Sequence, residues 1–156
     1  MLCYCGQTKL FSACCEPIIT GKQPAQTAEA LMRSRYSAYC ISAFPYILDT
    51  YSAEKRSSLS VDALAESAQG TRWLALTIHN DIYHQKDTVE FSAYYLVSKT
   101  VCVLHETSRF IIENEQWRYV DGHLHNDCGK LSLGRNDNCI CGSEKKFKQC
   151  CMKKAL

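Results

Sequence analysis

Eight of the eleven cysteines fall in two copies of one pattern, Cys3-x-Cys5-x8-Cys14-Cys15 and Cys139-x-Cys141-x8-Cys150-Cys151. A glycine follows the second cysteine of each copy (Gly6, Gly142), and a Lys-x-Phe lies inside each gap (Lys9-Leu10-Phe11, Lys145-Lys146-Phe147). Four thiolates in so short a span form the donor set of a closed, tetrahedral structural metal site, for which zinc is the first choice. Iron accepts the same four sulfurs, so ligand type alone does not separate the two. A C-x-C arm must turn at once to bring both sulfurs to one ion, and glycine takes the positive φ such a turn needs. Adjacent side chains on a helix diverge by about 100°. The chain must therefore unwind between Cys14 and Cys15, and between Cys150 and Cys151, if all four sulfurs are to meet. A three-cysteine site with one spectator is the alternative.

Disulfide bonding is the rival use of so many cysteines. It belongs to oxidising compartments, and the N-terminal Met1-Leu2-Cys3-Tyr4-Cys5-Gly6 has neither the basic nor the apolar segment of a secretory leader. No run approaches 18 apolar residues, so no membrane span is expected. A cytoplasmic, reduced chain with metal on its clustered thiols is the expectation. Cys40 and Cys102 sit in apolar patterns and read as small buried hydrophobes, whereas Cys128 lies in a loop-like stretch.

Charge is distributed unevenly. Residues 24–129 carry nine basic and thirteen acidic side chains, and residues 130–156 carry seven basic against two acidic. The second cysteine cluster is thus the basic one, with Lys145, Lys146, Lys148, Lys153 and Lys154 around it. Such a patch can meet RNA, a ribosome surface or an acidic protein, and no sequence-specific nucleic-acid binding is expected of it. Solvated lysines that serve only solubility are the alternative reading.

Between the clusters lie enough residues for one domain with a modest core. Thr27 is placed to cap a helix running to about Ile41, with Leu31, Met32, Tyr36 and Tyr39 on its apolar side and Arg35 facing inward or grazing that side. Further helices are expected at Phe44–Tyr51, opened by Pro45, and at Val61–Gln69, closed by Gly70. The period then changes to two. Strands are expected at Arg72–Tyr83, Thr88–Val97, Val101–Glu113 and Gln116–Asp121, with Asn114-Glu115 a tight turn between the last two. Helices followed by an antiparallel meander make an α+β domain with helices on one sheet face. The domain boundaries read as 1–23, 24–129 and 130–156.

The two cysteine segments resemble the SEC-C motif, the metal-binding tail of the SecA preprotein translocase, in which the last ligand is usually His. The run Thr27-Ala-Glu-Ala-Leu-Met-Arg-Ser-Arg-Tyr-Ser-Ala-Tyr39, with His105-Glu-Thr-Ser-Arg-Phe110 and Gly134-Arg-Asn-Asp137, resembles the bacterial YchJ family (UPF0225). The resemblance covers nearly the whole chain. It implies an NTF2-like cone with a cavity at its mouth, flanked by SEC-C knuckles, and it implies no particular reaction.

Given such a cone, the strand at 101–113 becomes informative. Alternation places His105, Thr107, Arg109 and Ile111 on one face and Glu106, Ser108 and Phe110 on the other. Arg35, Tyr36, Trp73, His105 and Arg109 are the candidate cavity residues, for a small-molecule or peptide ligand. His105 and Glu106 are the nearby pair able to act as acid and base, but as strand neighbours they point apart. Phosphate loops, Ser-His-Asp order and HExxH are absent from the sequence. A non-enzymatic adaptor, whose two zinc knuckles dock onto a protein or the translation and secretion machinery, is therefore favoured over the alternative, an NTF2-like cavity enzyme such as an isomerase, dehydratase or hydrolase with accessory knuckles.

Overall fold

The computed structural model describes residues 1–79 and 86–154. Helix α1 spans Glu16–Ile19, α2 Ala28–Cys40, α3 Phe44–Asp49, α4 Ala53–Arg56 and α5 Val61–Ser67. Strands follow at β1 Arg72–His79, β2 Thr88–Val97, β3 Thr100–Glu113, β4 Gln116–Leu124 and β5 Gly129–Lys130, and α6 closes the chain at Cys151–Lys154. The sheet is an antiparallel meander in the order β1-β2-β3-β4, with β5 paired to β3 beside Cys102 and Val103. The expected helices and strands are present to within a few residues. The short α1, α4 and β5 were not anticipated, and the 80–83 part of the first expected strand lies outside the described residues.

Local chemistry accounts for the element ends. The Thr27 hydroxyl accepts a 3.0 Å hydrogen bond from the Ala30 amide, and Ser60 caps α5 in the same way through Ala63. Gly70 has φ +75°, the left-handed conformation that stops a helix. Asn114 and Glu115 both have positive φ, as do Ser98 and Lys99, so two tight turns of the primed type fold β2, β3 and β4 onto one another. Register shifts at Trp73/Ala75 and Arg109/Phe110 bend the strands.

The α2 helix lies across one sheet face. Its Leu31, Met32 and Tyr36 are buried with Leu76, Val89, Phe91, Phe110 and Trp117. A second cluster joins Ala38, Ile47 and Leu64 where α2, α3 and α5 meet. The turn after α3 is stitched to β4, with Ser52 N–H donating to Tyr119 O and Tyr119 N–H donating to Thr50 O, both at 2.8 Å.

The knuckles do not stand apart from this core. Cys3, Cys5 and Cys15 are 6, 0 and 1% exposed and belong to the same apolar cluster as Leu31, Met32 and Phe91. Cys139, Cys151 and Phe147 are buried with Leu74 and Val101 of the sheet. The physical reason is that a span of about thirteen residues cannot bury its own sulfurs, so it borrows a wall from the domain.

Candidate metal centres and the central cavity

Each cysteine cluster is built by the same backbone. Cys3 N–H donates to Lys9 O at 2.8 Å, and Cys139 N–H donates to Lys145 O at 2.8 Å. A single antiparallel bridge closes each hairpin, Leu2 with Leu10 and Asn138 with Lys146. Gly6 and Gly142 turn the chain at φ +84° and +75°. Gly6 has a second reason to be glycine: a Cβ there would stand 3.3 Å from the Leu76 carbonyl oxygen of β1.

The required unwinding between the vicinal cysteines is present. Cys14 ends one 3-10 turn at φ −125°, ψ −92°, and Cys150 ends the other at φ −128°, ψ −107°. Helices α1 and α6 begin immediately afterwards. All four sulfurs of each cluster therefore converge within 4.8 Å of one another. Sulfur separations are 3.7 Å for Cys5–Cys14, 4.0 Å for Cys14–Cys15 and 3.4 Å for Cys141–Cys150. A zinc tetrahedron with bonds of about 2.3 Å has edges of about 3.8 Å, so these side chains fit such an ion.

The thiols are electrostatically unequal. The Cys15 thiol hydrogen-bonds Cys5 and holds it well below the ordinary cysteine range, while burial pushes Cys14 up. At the other end burial opposes ionisation of Cys141, but the Ser143 hydroxyl and Cys150 outweigh it and hold Cys141 down to about 6. Ser143 also donates to the Cys150 sulfur at 3.3 Å. Packing each set of sulfurs this closely concentrates negative charge that a bound cation neutralises.

The first knuckle is tied to α2 by a residue the sequence reading overlooked. Arg33 donates to Cys5 O at 2.7 Å and to Glu29 Oε1 at 2.9 Å. Ser37, fully buried on the same helix, lets Cys3 come within 3.8 Å of its hydroxyl. Outside the clusters, Cys102 is buried and Cys40 packs at the edge of the main core. Cys128 exchanges hydrogen bonds with the His105 backbone, both at 3.2 Å.

A cavity of about 290 Å³ opens between α2 and the sheet. Arg35, Tyr36 and Trp73 line it, together with Tyr39, Tyr51, Glu106, Ser108 and Tyr119. The His105 and Arg109 assignments are corrected. Phe110 is fully buried toward the helices, so Glu106 and Ser108 share its inward face, while His105 and Arg109 point to the opposite side. Arg109 there pairs with Asp121 through two bonds of 3.0 and 2.8 Å.

The cavity floor is polar and well connected. The Arg35 guanidinium lies over the Tyr51 and Tyr119 rings at 4.5 and 4.6 Å and donates to Ile47 O and Thr50 Oγ1. Tyr119 donates its hydroxyl to Glu106 Oε1 at 2.9 Å, and Ser108 donates to Oε2 at 3.0 Å. Burial raises the Tyr36 and Tyr119 phenols and pushes Tyr39 up to about 12, so all three remain proton donors. Glu106 has this position because Gly122 vacates it: a Cβ on Gly122 would fall 1.9 Å from Oε1. Gly122→Ala is expected to drive Glu106 from its hydroxyl partners and cost about 1–2 kcal/mol. Thermal melts of the two proteins measure it, and superimposable curves would contradict this packing.

The lysines expected to form a partner surface are displayed around the second knuckle. Lys145, Lys146 and Lys153 are exposed and Lys148 is half-buried. Lys154 ends α6, with its side chain outside the described part of the structure. The first knuckle instead exposes Met1, Leu2 and Leu10.

An antiparallel sheet carrying helices and a cavity on one face, bracketed by four-cysteine knuckles, defines an NTF2-like domain with SEC-C-type ends. The family description "YchJ, middle NTF2-like domain" matches residues 27–122, and "SEC-C motif" matches residues 135–153. The chain belongs to the YchJ (UPF0225) family. It is 39% identical to a UPF0225 protein of Vibrio cholerae serotype O1, over 97% of this chain and 99% of that one. It is 38% identical to one of Geobacter sulfurreducens, over 96% and 97% of the respective chains. A SEC-C motif containing protein from Rhodopseudomonas palustris, solved in solution, superposes with TM-score 0.73 at 30% identity, covering 81% of this chain and all 100% of that one. A crystal structure of a SEC-C motif containing protein from Psychrobacter arcticus gives TM-score 0.65 at 28% identity, covering 97% and 95%. Among the described residues no helix is long and apolar enough to cross a membrane.

Proposed function

We propose that this protein is a zinc-stapled cytoplasmic adaptor. One ion is held by Cys3, Cys5, Cys14 and Cys15, and a second by Cys139, Cys141, Cys150 and Cys151, with iron the alternative metal. The ions are structural: four thiolates close the coordination shell and leave no open position for chemistry. The observation that carries the reading is the convergence of all four sulfurs, twice, on one backbone template. The units are residues 1–23, 24–129 and 130–156, with the outer two anchored against the middle one.

In this reading the second knuckle is the docking element. Its metal holds Lys145, Lys146 and Lys148 on a rigid turn, where they present positive charge to an acidic protein or a ribosome surface, and Lys153 and Lys154 extend the patch. Association of this kind is steered by charge and weakens as salt rises. The central cavity, with its arginine and tyrosines, receives a small ligand or client segment. Affinity purification from the native host tests the docking element. A partner recovered with the parent chain should be lost with Cys150→Ser/Cys151→Ser. It should also be lost on charge reversal at Lys145, Lys146 and Lys148, which leaves metal content unchanged. Undiminished recovery with the triple reversal would remove the docking role of this patch.

A cavity enzyme is the second reading, favoured by one observation: a carboxylate, Glu106, is held inside the cavity by Tyr119 and Ser108 beside Arg35. A general base requires such a placed carboxylate within reach of its substrate. Glu106→Gln separates the readings, since it would abolish turnover of a substrate while leaving docking of a partner at the knuckle intact.

A further inference from the structure

On the sheet face opposite the cavity, four of the five histidines form a row. His79 and His105 have ring centroids 5.1 Å apart, His105 and His125 stack at 3.9 Å with planes 9° apart, and His123 meets His125 at 5.5 Å. The row arises from register, not from sequence spacing. His79 of β1 pairs with Glu90 of β2, Ser92 pairs with His105 of β3, and Thr107 pairs with His123 of β4. Strand alternation then turns all of these side chains to the same side.

We propose that His79, Glu90 and His105 form a third metal site, separate from the cysteine knuckles, for a divalent transition ion such as zinc. One donor atom of each lies within 4.8 Å of the other two. Imidazole and carboxylate are the donors of zinc sites that retain a water ligand, and two histidines with one carboxylate are a sufficient protein set. The donors come from three adjacent hydrogen-bonded strands, so their separation is fixed before an ion arrives.

The surroundings orient these donors. Nε2 of His105 is 2.8 Å from Glu90 Oε1, so the two donor atoms face one another. Nδ1 of the same ring is 2.7 Å from Asp127 Oδ1. A carboxylate on the far nitrogen is the usual outer partner of a metal-bound histidine, setting both its tautomer and its ring angle. The stacked His125 ring fixes the plane of His105, and His125 is itself held by Thr107 at 2.8 Å. Ser92 holds His79 at 2.8 Å. Two carboxylates on one imidazole also describe a protonated histidine in a purely structural salt bridge, so a proton is the competing occupant of the position between His105 and Glu90. Bound zinc would displace it.

Equilibrium dialysis of the full-length reduced protein against buffered zinc distinguishes the two occupants. The parent should bind one zinc per chain more than His79→Gln/His105→Gln, whatever number the cysteines hold. Asp127→Asn should retain that extra equivalent with about 10-fold weaker affinity, since it loses only the outer partner. As a check that does not depend on the variants folding, adding zinc to the parent should move the imidazole resonances of His79 and His105 in nuclear magnetic resonance spectra. Equal zinc counts in parent and double variant, or histidine resonances that ignore zinc, would overturn the proposal.

Discussion

Removing metal from the reduced protein is expected to destabilise the whole chain, not only its ends. Cys3, Cys5 and Cys15 are walls of the main core, in contact with the cluster that holds Leu31, Met32 and Phe91. Without a cation the close-packed sulfurs lose their cross-link, and the segment that carries them has only α1 and short turns of its own. Opening it would expose apolar surface on α2 and release Arg33 from Cys5 O. Structural zinc contributes about 10–16 kcal/mol of binding free energy to small folding units, comparable to the whole stability of a typical domain at about 5–15 kcal/mol. If only about a third of that is transmitted through the shared core, the loss is about 3–5 kcal/mol and the melting temperature falls by about 10–15 °C. Calorimetry with and without chelator, under reducing conditions, measures this. A main transition unmoved by chelation would mean that the knuckles are independent of the domain.

The second large effect is expected at Arg35. Its guanidinium is buried at 6% exposure, sits between two tyrosine rings and supplies hydrogen bonds to Ile47 O and Thr50. Those contacts join α2, the end of α3 and β4, because Thr50 O also receives the Tyr119 amide. Arg35→Met keeps much of the volume but loses the hydrogen bonds and both cation–π contacts. The expected cost is about 2–4 kcal/mol. Arg35→Lys should recover little of it, since an ammonium lacks the flat fork that stacks and donates together. Denaturant titration of the three proteins gives the comparison, and a Lys variant as stable as the parent would show that charge alone suffices.

Much of the scaffold could be read from the chain because its signals are local. Thr27 before an apolar face, Gly70 after one and the alternation from Val89 to Val97 each act within a few residues of where they stand. The cysteine spacing was equally informative, including the break between Cys14 and Cys15, since adjacent helical side chains cannot meet at one ion.

What the chain concealed is three-dimensional. Alternation divided β3 correctly into His105/Arg109 and Glu106/Ser108, but it does not say which half faces the helices. Phe110 carried that signal: as the bulkiest apolar residue among them, it marks the side of the core, and it stands with Glu106. The role of Gly122 depends on a cross-strand neighbour, and the histidine row depends on four strands lying in register. Burial of the first knuckle depends on Arg33 and Ser37, which in isolation resemble ordinary residues of a solvated helix face.

X-ray absorption spectroscopy combined with metal analysis of the reduced, dialysed protein decides whether two structural ions are each held by four cysteines. In the His79→Gln/His105→Gln background, which removes the histidine site, the ions are expected to survive dialysis with sulfur-only shells at about 2.3 Å, one lost in Cys5→Ser and the other in Cys141→Ser. A metal-free protein that keeps the parent's fold and melting temperature, with its cysteines paired in disulfides, would contradict it.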